Sequence, residues 1–251
     1  MESLFHMLNN KKIIVTGGTG RFGKILKKNV EKNFLFPTKK QLNILKLKKL
    51  TSYLKKEKPD YVIHLAGLSR PMSMHESNIS KSIKLNIIGT SNLTIACEKY
   101  NIKLIYFSSS YVYPGIKGDY NENDPLLPCN NYAWSKLGGE CAVQMYKNSL
   151  ILRVSMTEKP FVHKLAYSNM ITNFIFHEDF IKLFLKVLNY KGILNIGGKT
   201  NSVFNFVKVS NPKIKKKILK NNNKFKLPIN SSMNLTRLKK LLKNKQTTKN
   251  H

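Results

Sequence analysis

The sequence predicts an α/β protein built on a doubly wound parallel sheet, with a small C-terminal lobe. Three observations predict it. Short apolar runs of strand length alternate with longer amphipathic stretches up to Val154. Those runs are apolar throughout, as strands covered on both faces require, and do not alternate with polar residues. The first of them ends in a cluster of glycines that leads straight into a helical stretch.

The elements follow in order. Lys12-Ile13-Ile14-Val15-Thr16 reads as the first strand. Residues 21–32 carry Phe22, Ile25, Leu26 and Val30 at helical spacing. Phe34-Leu35-Phe36 is a second strand, stopped by Pro37. Residues 45–56 place Leu47, Leu50 and Leu54 on one side of a helix, and residues 60–67 form a third strand. A long helix is expected over 79–100, then a strand over 103–108 that runs into Ser108, Ser109 and Ser110. Residues 131–147 read as helix and 150–154 as strand. Beyond Ser155 the pattern weakens. Residues 177–188 look helical, 192–198 look like a strand entering a turn, and the Lys/Asn-rich stretch 211–226 reads as a mobile loop. Residues 235–242 form a closing helix, with Asn234 or Ser232 near its N-cap. The chain therefore divides into a first unit, 1–155, and a smaller lobe, 156–251, interleaved with it.

The 251 residues, 41% of them hydrophobic, suffice for one sizeable core. No apolar run approaches the roughly 18 residues that span a bilayer, so no membrane role is expected. The apolar patch Leu4, Phe5, Met7 and Leu8 lacks a basic leader and a cleavage site, so it is not read as a signal peptide. Cys97, Cys129 and Cys141 have no metal-ligand spacing, which suits reduced thiols in a cytoplasmic protein and argues for no metal. The net charge of +31 would suit a nucleic-acid binder. However, the basic residues are nearly all lysines, spread along the whole chain and mixed with asparagine, as in Asn221-Asn222-Asn223-Lys224. That is the mark of a compositional bias, so no nucleic-acid partner is expected. The charge still favours anionic small molecules.

Residues 16–23, Thr-Gly-Gly-Thr-Gly-Arg-Phe-Gly, lie between the first strand and the first helix and space Gly17, Gly20 and Gly23 as GxxGxxG. A dinucleotide site needs a tight turn, bare backbone beside the pyrophosphate, and a helix start that offers free N–H groups. In this position the pattern predicts a Rossmann-type dinucleotide site. No carboxylate follows the second strand in Phe36-Pro37-Thr38-Lys39-Lys40 to hold ribose hydroxyls. Lys39, Lys40 or Arg21 is placed to meet a 2′-phosphate, or is simply a solvated charge. The expected cofactor is NADP or NAD, with NADP favoured.

Tyr132-Ala133-Trp134-Ser135-Lys136 puts Tyr132 and Lys136 one helical turn apart. A nearby ammonium would lower the phenol's pKa and let Tyr132 exchange a proton with a substrate oxygen, and Lys136 could also reach a nicotinamide ribose. Ser109, at a strand's carboxyl end, could hydrogen-bond the reacting oxygen. Ser109, Tyr132 and Lys136 are the catalytic candidates.

These motifs resemble the extended short-chain dehydrogenase/reductase family, within the NAD-dependent epimerase/dehydratase superfamily. The resemblance rests on residues 16–23, His64-Leu65-Ala66-Gly67, Asn86 within Leu85–Thr90, residues 108–113, and Tyr132 with Lys136. Gln41-Leu42-Asn43-Ile44, residues 58–63, 119–125, 135–140 and 228–234 are similar to the dTDP-4-dehydrorhamnose reductase branch. Asn43 stands where that branch usually has aspartate, Pro114 follows Tyr113, and residues 154–160 lack an aromatic signature. The resemblance implies a cofactor site of Gly17, Thr19, Gly20, Arg21, Phe22, Gly23, Thr38, Asn43, Ile44, Leu65, Ala66, Gly67, Asn86 and Lys136. It implies substrate contacts from Ser69, Ser110, Tyr111 and Arg153.

The implied activity is reduction of a 4-keto nucleotide sugar, as in polysaccharide biosynthesis. Alternatives are an epimerase or dehydratase of the same family and a non-catalytic dinucleotide-binding protein. A homodimer is left open. Some residues have equally plain structural readings. His64 suits a hydrogen-bonded core position, Arg153 a structural ion pair, Trp134 packing, and His177-Glu178-Asp179 a helix start.

Overall fold

A computed structural model of the chain describes residues 10–220 and 226–247. The N-terminal apolar patch, Leu4 to Leu8, and residues 221–225 of the expected loop lie outside the described residues. The elements in order are β1 (Ile13–Thr16), α1 (Arg21–Lys28), β2 (Phe34–Leu35), α2 (Leu47–Glu57), β3 (Tyr61–His64), α3 (Gly89–Lys99) and β4 (Lys103–Ser109). They continue with α4 (Asn131–Gln144), β5 (Ser149–Val154), α5 (His177–Val187), β6 (Gly192–Ile196), α6 (Val203–Ser210) and α7 (Thr236–Thr247).

The six strands form one parallel sheet in the order β6-β5-β4-β3-β1-β2. Their continuous apolar character follows from this burial, because neighbouring residues face opposite helical layers. Ile13, Val15, Ile63, Ile105, Phe107, Leu150 and Leu152 pack with α1, α5 and α7. Ile14, Val62, Leu104, Tyr106 and Ile151 pack with α2, α3 and α4. The strand order reverses between β1 and β3, so a crevice opens beyond their carboxyl ends. This is an α/β fold of the Rossmann type, as the alternation of strand and helix predicts.

Beyond Ser155 the chain does two things. It completes the sheet with α5 and β6, and it builds a second small core from Ala166, Met170, Val203, Val207 and Ile214. Three short strand pairs frame that core: Met156–Thr157 with Ile175–Phe176, Leu165–Tyr167 with Lys215–Lys217, and Ile171–Thr172 with Asn201–Ser202. Among the described residues, no helix is long and apolar enough to cross a membrane.

Several local expectations change. The first helix ends at Lys28, not residue 32, because Asn29 turns back on it. Its backbone N–H bonds Leu26 O at 2.9 Å and its amide bonds Ile25 O at 2.8 Å. The long helix over 79–100 is broken by a π-helical turn, Ile83–Ile88, centred on Asn86. The stretch read as a mobile loop contributes Lys215–Lys217 to a parallel pair, since backbone pairing does not depend on lysine side chains, which stay exposed. Helix α6 is not anticipated from the sequence, and its Val203, Phe204, Phe206 and Val207 pack into the second core. Ser202 starts it by accepting the Asn205 N–H at 3.1 Å.

Arg153 is not at the crevice, contrary to the expected substrate contact. Its side chain is 2% exposed and forks onto Glu140 Oε1, which Nη2 meets at 2.6 Å and Nε at 3.1 Å. Its Nη1 donates to the Tyr113 hydroxyl at 2.8 Å and to Glu122 O at 3.0 Å, and Ser108 fills the other Glu140 oxygen. The pair ties β5 to α4. Removing one member strands a buried charge. Arg153→Met is expected to lower stability by about 3–5 kcal/mol in urea unfolding, and adding Glu140→Leu should recover most of that. Equal stability of Arg153→Met and the unmodified chain would refute this account.

Candidate active site

The glycine loop sits at the switch point of the sheet. Gly17 has φ +73°, and a Cβ there would lie 2.5 Å from Ala66 N, so both conformation and space demand glycine. A Cβ on Gly23 would lie 2.6 Å from Gly17 O, which lets α1 press close against the loop. Gly20 N donates to Gly17 O at 2.9 Å and closes the turn. Gly20 is also the N-cap of α1, and no side chain caps that helix. The first-turn N–H groups of α1 therefore face the cleft as donors with a positive dipole behind them. Helix α4 contrasts with this: Asn130 Oδ1 accepts the Ala133 N–H at 2.9 Å and caps it.

The cleft has a volume of about 520 Å³. Of the expected cofactor residues, Gly17, Thr19, Gly20, Arg21, Phe22, Gly23, Thr38, Asn43, Ile44, Leu65, Ala66, Gly67 and Lys136 line it. The expected substrate contacts Ser69, Ser110 and Tyr111 line it too, together with Ser109 and Tyr132. Asn86 and Arg153 do not. Asn86 is buried behind the wall. Its Oδ1 accepts the Leu68 N–H at 2.7 Å, and its Nδ2 donates to Leu68 O and to Ser135 Oγ, both at 2.8 Å. It acts on the cleft by holding the β3 loop and α4, not by contact.

His64 is a hydrogen-bonded core residue with a legible tautomer. Thr90 Oγ1 gives its proton to Asn86 O at 2.8 Å, so it can only accept from His64 Nε2, 3.0 Å away. Nδ1 then accepts from Thr16 Oγ1 at 2.9 Å, and Thr16 Oγ1 itself accepts the Ala66 N–H at 3.2 Å. Burial, helped by the Lys136 charge, pushes the imidazole down to about 3, so it stays neutral.

Ser109 ends β4, and Tyr132 lies in the first turn of α4. The Tyr132 ring is held edge-on between His75, with centroids 5.1 Å apart, and Tyr111, at 6.3 Å. Burial raises the phenol above its usual range, while a hydrogen bond with Ser109 and the charge of Arg70 act in the opposite direction. This corrects the expectation that Lys136 lowers it. The Lys136 ammonium lies 4.2 Å over the ring of Tyr106, where burial pushes it down to about 7 against the pull of Glu140. Chemically, the arrangement offers a phenol donor beside a serine hydroxyl, a lysine able to change charge near neutrality, and an anion-binding helix start.

Among the lining residues that the sequence does not mark as part of the site, Arg70, Glu158 and His177 carry ionisable groups. Arg70 and Glu158 form an ion cluster with Arg21, and His177 sits at 4% exposure with Nδ1 unpaired. The carboxyl-end rule for parallel strands would have flagged Arg70, which lies just after β3. No local signal marks Glu158. Among the described residues, no group of three or more His, Cys, Asp or Glu is arranged to hold a metal.

The profile of the RmlD substrate binding domain matches residues 11–167. The methionine adenosyltransferase 2 subunit beta of Pongo abelii is 30% identical over 144 residues, 53% of this chain and 43% of that protein. The GDP-L-colitose synthase of Yersinia pseudotuberculosis is 36% identical over 107 residues, 41% of this chain and 35% of that protein. The chain thus spans less than half the length of these relatives. In fold, it is similar to a dTDP-4-dehydrorhamnose reductase of Bacillus anthracis solved in complex with NADP. The TM-score is 0.83 at 21% identity, covering 92% of each chain.

Two outcomes are expected from this geometry. Asn86→Ala leaves both backbone groups of Leu68 without partners and should cost on the order of 2–3 kcal/mol in chemical unfolding. A loss within experimental error would overturn its bracing role. Lys136 has a folded pKa below its unfolded value, so its contribution to stability is full above the unfolded pKa of 10.5 and fades as pH falls through about 7. Lys136→Met should therefore gain most on the unmodified chain below pH 7, by roughly 1–3 kcal/mol given residual solvation. The gain should shrink as pH rises towards 10, and a pH-independent difference in melting would contradict the assigned burial.

Proposed function

Because the chain belongs to the RmlD substrate binding domain family, we propose that it is an NAD(P)-dependent oxidoreductase of nucleotide-linked sugars, and that it reduces a 4-keto sugar nucleotide. One observation carries the reading: the uncapped glycine-loop helix and the Ser109, Tyr132 and Lys136 side chains line a single cleft. The residues fit a nicotinamide dinucleotide. Gly17 and Gly23 occupy positions where any side chain would strike backbone, and the free N–H groups of α1 suit a pyrophosphate. Pro37, Thr38 and Lys39 line the cleft after β2, and the lack of a carboxylate among them supports NADP over NAD.

A bound reduced nicotinamide supplies hydride. The chain supplies the rest. The Tyr132 hydroxyl gives its proton to the substrate oxygen, and Ser109 donates a hydrogen bond to the same oxygen and holds it in line. Lys136 orients the ribose and, with burial pushing its ammonium down to about 7, can pass a proton back towards Tyr132 after turnover. Arg70 adds positive charge near the phenol. Ser69, Ser110 and Tyr111, which line the same cleft, would contact the sugar. Residues 1–155 serve chiefly as the dinucleotide unit, and the interleaved segment 156–251 as the sugar-side lobe.

A second reading comes from the relative named as a subunit of methionine adenosyltransferase 2. On that reading the chain holds a dinucleotide in the service of another enzyme. An epimerase or dehydratase of the same family would instead retain its cofactor through gel filtration.

The test is a panel of nucleotide-4-keto-sugars with NADH and NADPH, followed by loss of reduced-cofactor absorbance. Tyr132→Phe should slow turnover by about 10²–10⁴-fold while NADPH affinity stays essentially unchanged. Equal loss of both would remove Tyr132 from the chemistry. NADPH binding with no turnover on any substrate would favour the subunit reading.

A further inference from the structure

Glu158 lines the same cleft as the glycine loop and receives Arg21 Nη1 at 2.6 Å and Arg70 Nη1 at 3.5 Å, both on Oε1. The three residues arrive from three directions. Arg21 opens α1, Arg70 follows the carboxyl end of β3, and Glu158 follows the short strand Met156–Thr157. Glu158 is the one carboxylate among the described residues of the cleft wall, against Arg21, Lys39, Arg70 and Lys136. Its side chain is 13% exposed, while those of Arg21 and Arg70 are 46% and 35% exposed. The acid is set into the wall and the two guanidiniums reach to it from the open side.

Two guanidiniums aimed at one point repel each other unless an anion lies between them. A phosphate oxygen meets the same requirement as a carboxylate oxygen, and guanidinium forks bind both. Arg21 is moreover the first residue of the uncapped helix, so this point adjoins the backbone donors that suit a diphosphate. We propose that Glu158 is an internal stand-in for the diphosphate of the dinucleotide. It holds Arg21 and Arg70 in their binding positions in the free protein and gives way when the diphosphate enters. The proposal rests on the dinucleotide reading above and adds a price to it: the ligand binds less tightly than the bare arginines would allow. It also couples occupation of the glycine loop to the far wall, because Met156–Thr157 pairs with Ile175–Phe176 at the start of α5.

The experiment is calorimetric titration of the full chain with ADP-ribose and, separately, with dTDP. The chains compared are unmodified, Glu158→Gln and Glu158→Asp, each checked by its melting curve. Glu158→Gln should bind ADP-ribose about three- to tenfold more tightly and dTDP with little change. Glu158→Asp, which keeps the charge, should stay near the unmodified chain. Unchanged or weaker ADP-ribose binding by folded Glu158→Gln overturns the proposal, since Glu158 would then be a clamp that stays in place. Equal tightening for both ligands overturns it as well, leaving only a general charge effect.

A crystal structure of the unmodified chain with ADP-ribose decides the matter independently of any variant. The expected result is a phosphate oxygen about 3 Å from Arg21 or Arg70 with Glu158 withdrawn, and a persisting Arg21–Glu158 pair overturns the proposal. Failure of the unmodified chain to bind ADP-ribose at all would instead sink the dinucleotide reading, and this proposal with it.

Discussion

The cleft depends on a buried line of neutral hydrogen bonds that crosses the sheet's switch point. It runs from Ala66 N–H through Thr16, His64 and Thr90 to the backbone of Asn86. The Asn86 side chain carries it on to Leu68 and to Ser135, which lies between Tyr132 and Lys136. Each hydroxyl in the line gives one proton and accepts another, so its direction is fixed throughout. A charge anywhere along it would break that order, and burial keeps His64 neutral. The line joins the strand before the glycine loop to the helix that bears Tyr132, so the two halves of the site share one frame.

Around that neutral frame, charge is distributed unevenly. Arg153 and Glu140 neutralise each other in the interior beside Ser108, where a lone ion would be costly. In the open cleft, among the described residues, four basic side chains face one carboxylate. The capped α4 keeps its first turn closed and so fixes Tyr132, whereas the uncapped α1 leaves its first turn free for an anion. The same chemical device, a helix N-terminus, thus serves rigidity in one place and binding in the other.

Most of the fold was legible from local pattern. The glycine spacing, the strand-length apolar runs and the Tyr132–Lys136 interval are short-range features, and each marks a place where the structure has a cleft-lining element. What was not legible depended on contacts distant in sequence. Of the two readings open for Arg153, the structural ion pair holds and the cleft contact does not, because its partner Glu140 is set by how α4 lies across β5. Lys136 shares a helical turn with Tyr132, yet the neighbouring Tyr106 ring, fixed by β4, takes its ammonium. Glu158 meets Arg21 across 137 positions of chain. Helix α6 was missed because its valines and phenylalanines serve a small core that the sequence does not announce.

The sheet's last strand, β6, is laid down only after the chain has left β5, contributed Ala166 and Met170 to the second core and returned through α5. The excursion over the cleft is therefore a stitched loop, not an appended module. Both of its ends are sewn into the main sheet, and a later stretch is tacked to the Tyr120 backbone by Ser232 and Asn234. Cutting the chain after β5 would take the sheet's edge away with the lobe. Changes of residue within the stitched segment, by contrast, can reshape the pocket roof while the seams hold.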